Sequence, residues 1–321
     1  MCTSGLRSAR TLATTSHSGE TAKRVSATSR AVKDSRSTRM SLVLAKSVEV
    51  TPRAREAGGM TSRLGFGALH LTDCGWGPPR DRDAAVALLR LAVDLGVDLI
   101  DTADSYGLGA NEELIADALH PYAGVTVATK AGQSRPGPGE WVPLGRPEYL
   151  RQQAELSLRR LRVERIDLFY LHRVDPAVPL ADQVGALARL REEGKIDRIG
   201  LSEVDVPTLE AAREIVEISA VQNKYSSDDR TWQPVLDHCA ATGIDFVPWR
   251  PIPRADAAVA KVAAELGVAP APVALAWLLA RSPVVRPIPG TTSPAHLREN
   301  LGAEHLDLTA GQLDLITRGT T

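Results

Sequence analysis

From residue 63 onward, short runs of β-branched and other apolar residues alternate with longer stretches whose apolar side chains recur every three or four positions. The short runs fall at 63–67, 97–101, 125–130, 167–172, 199–203, 220–225, 245–249 and 284–289, giving eight predicted strands. Helical patterning is plainest over 81–95, where Ala85, Leu88, Leu89, Ala92 and Leu95 share a face. Asp81 and Asp83 at its start suit the positive end of a helix, and Gly96 stops it. Further helices are predicted over 147–161, 180–193, 207–216 and 232–241. Strands that are apolar almost throughout, separated by helices, call for a parallel sheet covered on its faces. Eight such units in about 260 residues match a (β/α)8 or TIM barrel of the α/β class.

The rival solution is a doubly wound open sheet, which carries G-x-G-x-x-G after its first strand when it binds a dinucleotide. Here Gly65-Phe66-Gly67 is followed by Ala68-Leu69-His70, so that fingerprint is absent. Composition narrows the partners. Lys plus Arg number 38 against 39 for Asp plus Glu, which removes a whole-chain case for nucleic acid or an anionic membrane. No run of about 18 apolar residues offers a bilayer span. Cys2, Cys74 and Cys239 lie too far apart for a CxxC pair and are odd in number, which fits a reducing, cytoplasmic setting.

The head of the chain differs from its body. Residues 1–39 are crowded with Ser, Thr and Arg, and hold only Glu20 and Asp34 as acids. Such a segment buries too little apolar surface to offset its chain entropy. Residues 1–59 are therefore expected to be a disordered extension: a tail, or translation upstream of a start at Met40 or Met60. A transit peptide shares this composition, whereas a secretory signal would need an apolar core that is missing. Residues 60–321 are expected to form the barrel.

Active sites of such barrels lie at the C-terminal strand ends. Reactive residues stand at those ends here: Asp101 with Tyr106 just beyond, Lys130, His172, Ser202-Glu203, Gln222 and Trp249. Each has an ordinary reading alone. Asp101 is a possible turn cap, Lys130 a rim charge, His172 a core histidine, and Tyr106 and Trp249 packing aromatics. Together they would all have to reach one face by accident. A phenol with a pKa near 10 is a weak acid, and a neighbouring ammonium makes it a better proton donor. A carboxylate would hold the lysine, and an imidazole would orient a substrate oxygen. The set suits reduction of a carbonyl, with hydride going to carbon and a proton to oxygen.

These residues resemble the catalytic tetrad of the aldo-keto reductase superfamily. Asp101-Thr102-Ala103 with Tyr106-Gly107, Ala128-Thr129-Lys130, Leu171-His172, Ile199-Gly200-Leu201-Ser202, and Ile288-Pro289-Gly290-Thr291-Thr292 followed by Leu297-Arg298-Glu299-Asn300-Leu301 occur in the family's order, across residues 63–316. The resemblance implies Tyr106 as general acid, tuned by Lys130, which Asp101 salt-bridges, with His172 positioning the carbonyl. It implies that Ser202, Glu203 and Gln222 bind the nicotinamide carboxamide, Glu203 by accepting from its NH2. Trp249, where most relatives carry Tyr, would stack on the ring. Gly290, Thr291, Thr292, His296, Arg298, Glu299 and Asn300 would wrap the adenosine half. NADPH is the implied cofactor, with NADH or dual use left open, because Gly290, Ser293 and His296 stand where relatives carry cations for the 2′-phosphate. Backbone N–H groups at 293–295 would still meet a phosphate.

A small-molecule carbonyl compound is the expected partner, and a monomer or small homo-oligomer the expected state. The Gly- and Pro-rich loop 131–146 with Trp141 is the expected pocket wall; His70, Trp76 and Trp232 are further candidates. Only five residues follow Ile316, so the long C-terminal substrate loop of some relatives is not expected, which suggests an open pocket or one closed by another subunit. Leu171-His172-Arg173-Val174-Asp175 is similar to branches that reduce small aldehydes, including pyridoxal-like ones. Two other functions remain: a regulatory subunit retaining barrel and cofactor site, and a lyase or isomerase using Lys130 as a Schiff-base nucleophile. No metal site is expected.

Overall fold

A computed structural model describes residues 62–72 and 75–319. The expected extension over 1–59, Cys2 and Cys74 lie outside the described residues. Seven parallel strands form one curled sheet: β1 (Phe66–Gly67), β2 (Leu99–Asp101), β3 (Thr126–Ala131), then, after the two-stranded hairpin β4 (Gln133–Ser134) and β5 (Val142–Pro143), β6 (Ile166–Leu171), β7 (Ile196–Ser202), β8 (Ala220–Gln222) and β9 (Asp245–Phe246). Sheet order follows chain order, β1-β2-β3-β6-β7-β8-β9, consistent with an α/β barrel. The helices are α1 (Arg82–Asp94), α2 (Ala110–Leu119), α3 (Pro147–Leu161), α4 (Leu180–Glu192), α5 (Val206–Arg213), α6 (Gln233–Thr242), α7 (Ala257–Leu266), α8 (Pro270–Arg281), α9 (Pro294–Leu301) and α10 (Ala310–Arg318). The Asp81 side chain caps α1 by accepting from the Ala84 N–H at 3.0 Å.

The expected strand at 284–289 joins the sheet without forming a ladder. The N–H groups of Gly65 and Gly67 donate to the carbonyls of Pro287 and Pro289, at 2.9 and 3.2 Å. On its other side Arg286 and Ile288 donate to Phe246 and Pro248, at 2.9 and 3.2 Å. The two prolines occupy the positions facing β1, where they accept but have no N–H to return. Hydrogen bonding toward β1 is thus one-directional, and no regular strand is assigned. The other strands are found at shorter or shifted bounds, except β7, which starts three residues earlier than expected, at Ile196.

Side-chain alternation divides two cores. Leu99, Ala128, Leu168, Tyr170, Ala220, Val247 and Ile288 cluster on the inner face, with Trp249 packed against them. Their alternates, such as Ile100, Phe169 and Leu201, join the larger cluster under the helices. Tyr170 pairs in register with Gly200 across β6 and β7. A Cβ at Gly200 would lie 2.3 Å from Tyr170 ring carbons, so the glycine makes room for the inner ring. Cys239 is buried in the helix-facing core, with burial pushing its thiol up to about 12. Among the described residues, no single helix is long and apolar enough to cross a membrane.

Gly200→Ala should therefore destabilise the fold by about 1–3 kcal/mol through overpacking, and Tyr170→Val in the same chain should recover part of the loss. Urea denaturation of the parent and the two variants checks this; an unchanged midpoint for Gly200→Ala would contradict the inner-face packing described.

Candidate active site

Strand register levels the residues that carry the chemistry. Asp101 pairs with Ala128, Lys130 with Tyr170, and Ser202 with Gln222, so all end at one rim of the sheet. Lys130 is fully buried, with Nζ 2.6 Å from Asp101 Oδ1 and donating to the Thr102 carbonyl at 2.7 Å. Gln222 Nε2 donates to the other carboxylate oxygen, Oδ2, at 2.7 Å. A buried carboxylate with both oxygens engaged is a compensated charge. Burial alone would lower the Lys130 pKa, but Asp101 and the Tyr106 hydroxyl outweigh it and hold the amine above its ordinary value. The ammonium is the state this pocket stabilises.

Tyr106 is delivered by a sharp turn. Gly107, Leu108 and Gly109 all take left-handed φ values of 58, 54 and 97°, and a Cβ at Gly107 would meet the Gly77 carbonyl at 2.8 Å. The turn base is held by Thr102 Oγ1 donating to Asn111 Oδ1 at 2.7 Å, while Asn111 Nδ2 donates to the Ala68 carbonyl at 2.9 Å. The Tyr106 ring centroid lies 5.1 Å from Lys130 Nζ. Burial raises the phenol pKa more than the ammonium lowers it, leaving a net upward shift. This differs from the simple expectation of a lowered pKa: desolvation of the phenolate wins, and the hydroxyl keeps its proton at neutral pH.

His172 follows the end of β6, its N–H donating to the Ala131 carbonyl at 2.7 Å. Its ring lies 5.9 Å from Tyr106 at 75° between planes, with Nδ1 3.5 Å from Ser105 Oγ. Burial, reinforced by Lys130, Arg173 and Arg135, holds its pKa well below the ordinary value, so the imidazole is neutral. Trp141 stands edge-on to both, 6.3 Å from Tyr106 and 6.2 Å from His172. The segment 131–146, expected as a loop, thus contains the β4–β5 hairpin and carries Trp141 to the site. Trp76 is reached through Arg135, whose Cζ lies 5.2 Å from its ring. Trp232 packs against the main core instead.

Residues expected to hold the cofactor divide into two groups. Ser202 Oγ accepts from Arg173 Nη1 at 3.0 Å, and the same nitrogen donates to the His172 carbonyl at 2.6 Å. Glu203, with φ of 57°, accepts from the Trp249 indole at 2.7 Å and the Lys224 N–H at 2.6 Å, both through Oε1. That oxygen orients the indole, whose body rests on the inner core. The second group leads into α9. Thr291 Oγ1 accepts from the Ser293 N–H at 3.0 Å, and Ser293 Oγ caps α9 by accepting from His296 N at 3.4 Å. His296, Arg298 and Glu299 are exposed, while Asn300 is buried. A Cβ at Gly290 would lie 2.7 Å from the Gly67 carbonyl and 3.2 Å from the His70 ring. This places His70 beside Gly290. A half-buried flat indole, hydroxyl and amide groups beside it, and a hydroxyl-rich helix start suit a nicotinamide dinucleotide by donor chemistry. Arg135 and Arg173 join the site without a sequence signal of their own, beyond the adjacency of Arg173 to His172. No group of three potential metal ligands occurs among the described residues.

Comparison with known proteins identifies the family. The model of the aldo/keto reductase family matches residues 63–318, and the chain belongs to that family. It is an NAD(P)H-dependent oxidoreductase. It is 42% identical to an uncharacterized oxidoreductase of Schizosaccharomyces pombe over 259 residues, spanning 78% of this chain and 84% of the relative. It is 40% identical to the pyridoxine 4-dehydrogenase of Escherichia coli over 259 residues, spanning 77% and 91%. Among solved structures, a thermostable aldo-keto reductase in complex with the inhibitor epalrestat superposes with a TM-score of 0.73 at 28% identity, over 82% of this chain and 97% of that one. An aldo-keto reductase from Klebsiella pneumoniae in complex with NADPH gives 0.68 at 25% identity, over 80% and 90%.

The neutral His172 has a consequence for stability. In the unfolded chain it gains a proton near its ordinary value of 6.5, whereas the native imidazole resists protonation. The unfolded state therefore binds more protons as pH falls through 6.5, and the native state loses stability until its own depressed pKa is reached. Urea midpoints measured between pH 7 and 5 should fall less in His172→Gln than in the parent. A difference between the two proteins that does not change with pH would contradict a neutral buried imidazole.

Proposed function

We propose that this enzyme reduces an aldehyde or ketone to its alcohol, with NADPH as the preferred cofactor, and that Tyr106 gives the proton. The observation that carries this reading is the buried Asp101–Lys130 pair set 5.1 Å beneath the Tyr106 ring, with the neutral His172 ring 5.9 Å to one side. The reduced nicotinamide supplies the hydride when bound. Tyr106 transfers its hydroxyl proton to the carbonyl oxygen, and the Lys130 ammonium stabilises the phenolate left behind. Asp101 keeps the ammonium in place, while His172 donates a hydrogen bond to the same carbonyl oxygen and so fixes its direction.

The cofactor would be held along the rim. Ser202, with Arg173 already donating to its oxygen, still has its own hydroxyl proton for the carboxamide oxygen, and Gln222 has its side-chain carbonyl for the carboxamide NH2. Trp249 offers its face to the ring, and Glu203 locks the indole plane. Gly290, Thr291, Thr292, His296, Arg298, Glu299 and Asn300 would line the adenosine half. The backbone N–H groups at the start of α9 and the exposed Arg298 within two turns support NADPH over NADH. Residues 60–321 would act as one (β/α)8 barrel, with 284–289 as its eighth wall.

Initial rates of NADPH and NADH oxidation with benzaldehyde test this, with pyridoxal added because the Escherichia coli relative is named for pyridoxine. Tyr106→Phe should lose about 10²–10⁴-fold in kcat, the usual contribution of a positioned general acid. NADPH should give the higher kcat/KM. Full activity in Tyr106→Phe would sink the proton-donor role, and equal rates with NADH would sink the cofactor preference.

A further inference from the structure

Arg135 is a charge that the proposed reaction leaves unused. It directly follows β4, immediately before Pro136, and is 8% exposed. Its guanidinium carbon lies 3.7 Å from the Trp141 ring centroid, and the Trp76 ring flanks it at 5.2 Å. Nη1 donates to the Gly75 carbonyl at 2.7 Å and reaches the Ser105 carbonyl at 3.5 Å. Those two contacts are all the hydrogen bonds it makes among the described residues, and Nε is buried with no acceptor.

The other buried or half-buried cations of this region are compensated. Lys130 has Asp101 at 2.6 Å, Arg160 has Glu112 at 2.5 Å, and Arg173 feels the charge of Glu203. Arg135 has no ion pair among the described residues, and burial lowers its pKa with no carboxylate to restore it. A guanidinium withdrawn from water without a counter-charge is a standing cost that an incoming anion would remove. Its location says which anion. Ser105, whose carbonyl it reaches, precedes Tyr106, and Trp141, on which it lies, stands edge-on to both Tyr106 and His172. Arg135 is therefore one indole away from the place where a carbonyl would be reduced, and its walls are flat and aromatic.

We propose that Arg135 is a specificity residue that selects carbonyl substrates bearing a carboxylate, a planar aromatic carboxylate fitting best between the tryptophans. The proposal rests on the reductase reading above. The substrate's carboxylate accepts from Nη2, the terminal nitrogen that neither Gly75 nor Ser105 occupies, while its carbonyl lies against Tyr106 and His172. A lysine would keep the charge but lose the planar fork and the stacking.

The test compares 3- and 4-carboxybenzaldehyde with their methyl esters. The esters are the more electron-poor aldehydes, so intrinsic reactivity works against the expected order. The parent enzyme should favour at least one acid over its ester by about tenfold or more in kcat/KM. Arg135→Met should abolish that preference by lowering kcat/KM for the acid about tenfold or more beyond any change for its ester, and Arg135→Lys should keep part of it. No preference in the parent would overturn the proposal. Equal losses for acid and ester in Arg135→Met would overturn it too, assigning Arg135 to holding the wall. Calorimetric titration with benzoate provides a readout without turnover, and Arg135→Met should weaken that binding about tenfold or more. Arg135-dependent benzoate binding with no aldehyde reduced would leave the anion site standing and remove the reductase reading. Tyr106-dependent ester reduction with no acid preference would do the opposite.

Discussion

The ion pair between Lys130 and Asp101 sets terms for the rest of the molecule. An ammonium sealed from water survives only where a carboxylate and a carbonyl meet it, and each of those must be held from behind. Three parts of the sheet provide this: β3 carries the lysine, β2 the aspartate with Thr102 just after it, and β8, beyond β6 and β7, the glutamine that occupies the second carboxylate oxygen. A slip of one residue in any of these strands would turn its side chain to the helix-facing core and leave a charge unpaired. Register, hydrophobic alternation and charge compensation therefore specify the same arrangement.

Around that pair the environment is graded. The phenol is buried enough to retain its proton yet close enough to the ammonium for the phenolate to be tolerated. The imidazole is stripped of charge by the same burial and by the surrounding cations. One element of the wall, the β4–β5 hairpin, adds an aromatic edge and a cation without touching the sheet's ladder. The chemistry is thus built from strands, which fix it, whereas the surroundings that would choose a substrate are built from a hairpin and a turn, which vary freely.

Much of this arrangement is legible in the amino-acid sequence. Asp101, Lys130, His172, Ser202 and Gln222 interrupt apolar runs at strand ends, and such interruptions stand out because the runs are otherwise continuous. Helix α3 is readable from Pro147 to Leu161, since its stripe faces the core and its other side is charged. Helix α8 gives no such signal, because it is apolar on almost every side and periodicity has nothing to contrast. The contact of Glu203 with the Trp249 indole joins residues 46 apart in the chain, which no local pattern reveals. Arg135 is hidden for the same reason: its partners, Gly75, Trp76, Ser105 and Trp141, come from three separate loops. The phenol's net pKa shift is equally hidden, because sequence names the neighbouring charge but not the depth of burial.

The proline pair at 287 and 289 gives the sheet an unequal seam. On the β9 side, 284–289 both gives and receives hydrogen bonds; on the β1 side it only receives. A wall fastened by half its usual stitches along one line will yield there before it yields elsewhere, and that line ends at Gly67 and Gly290, whose backbones nearly touch. The segment that leads from Gly290 into α9 hangs from this joint. The strands carrying the ion pair lie on the opposite side of β1 and beyond, in ladders that do not share this seam.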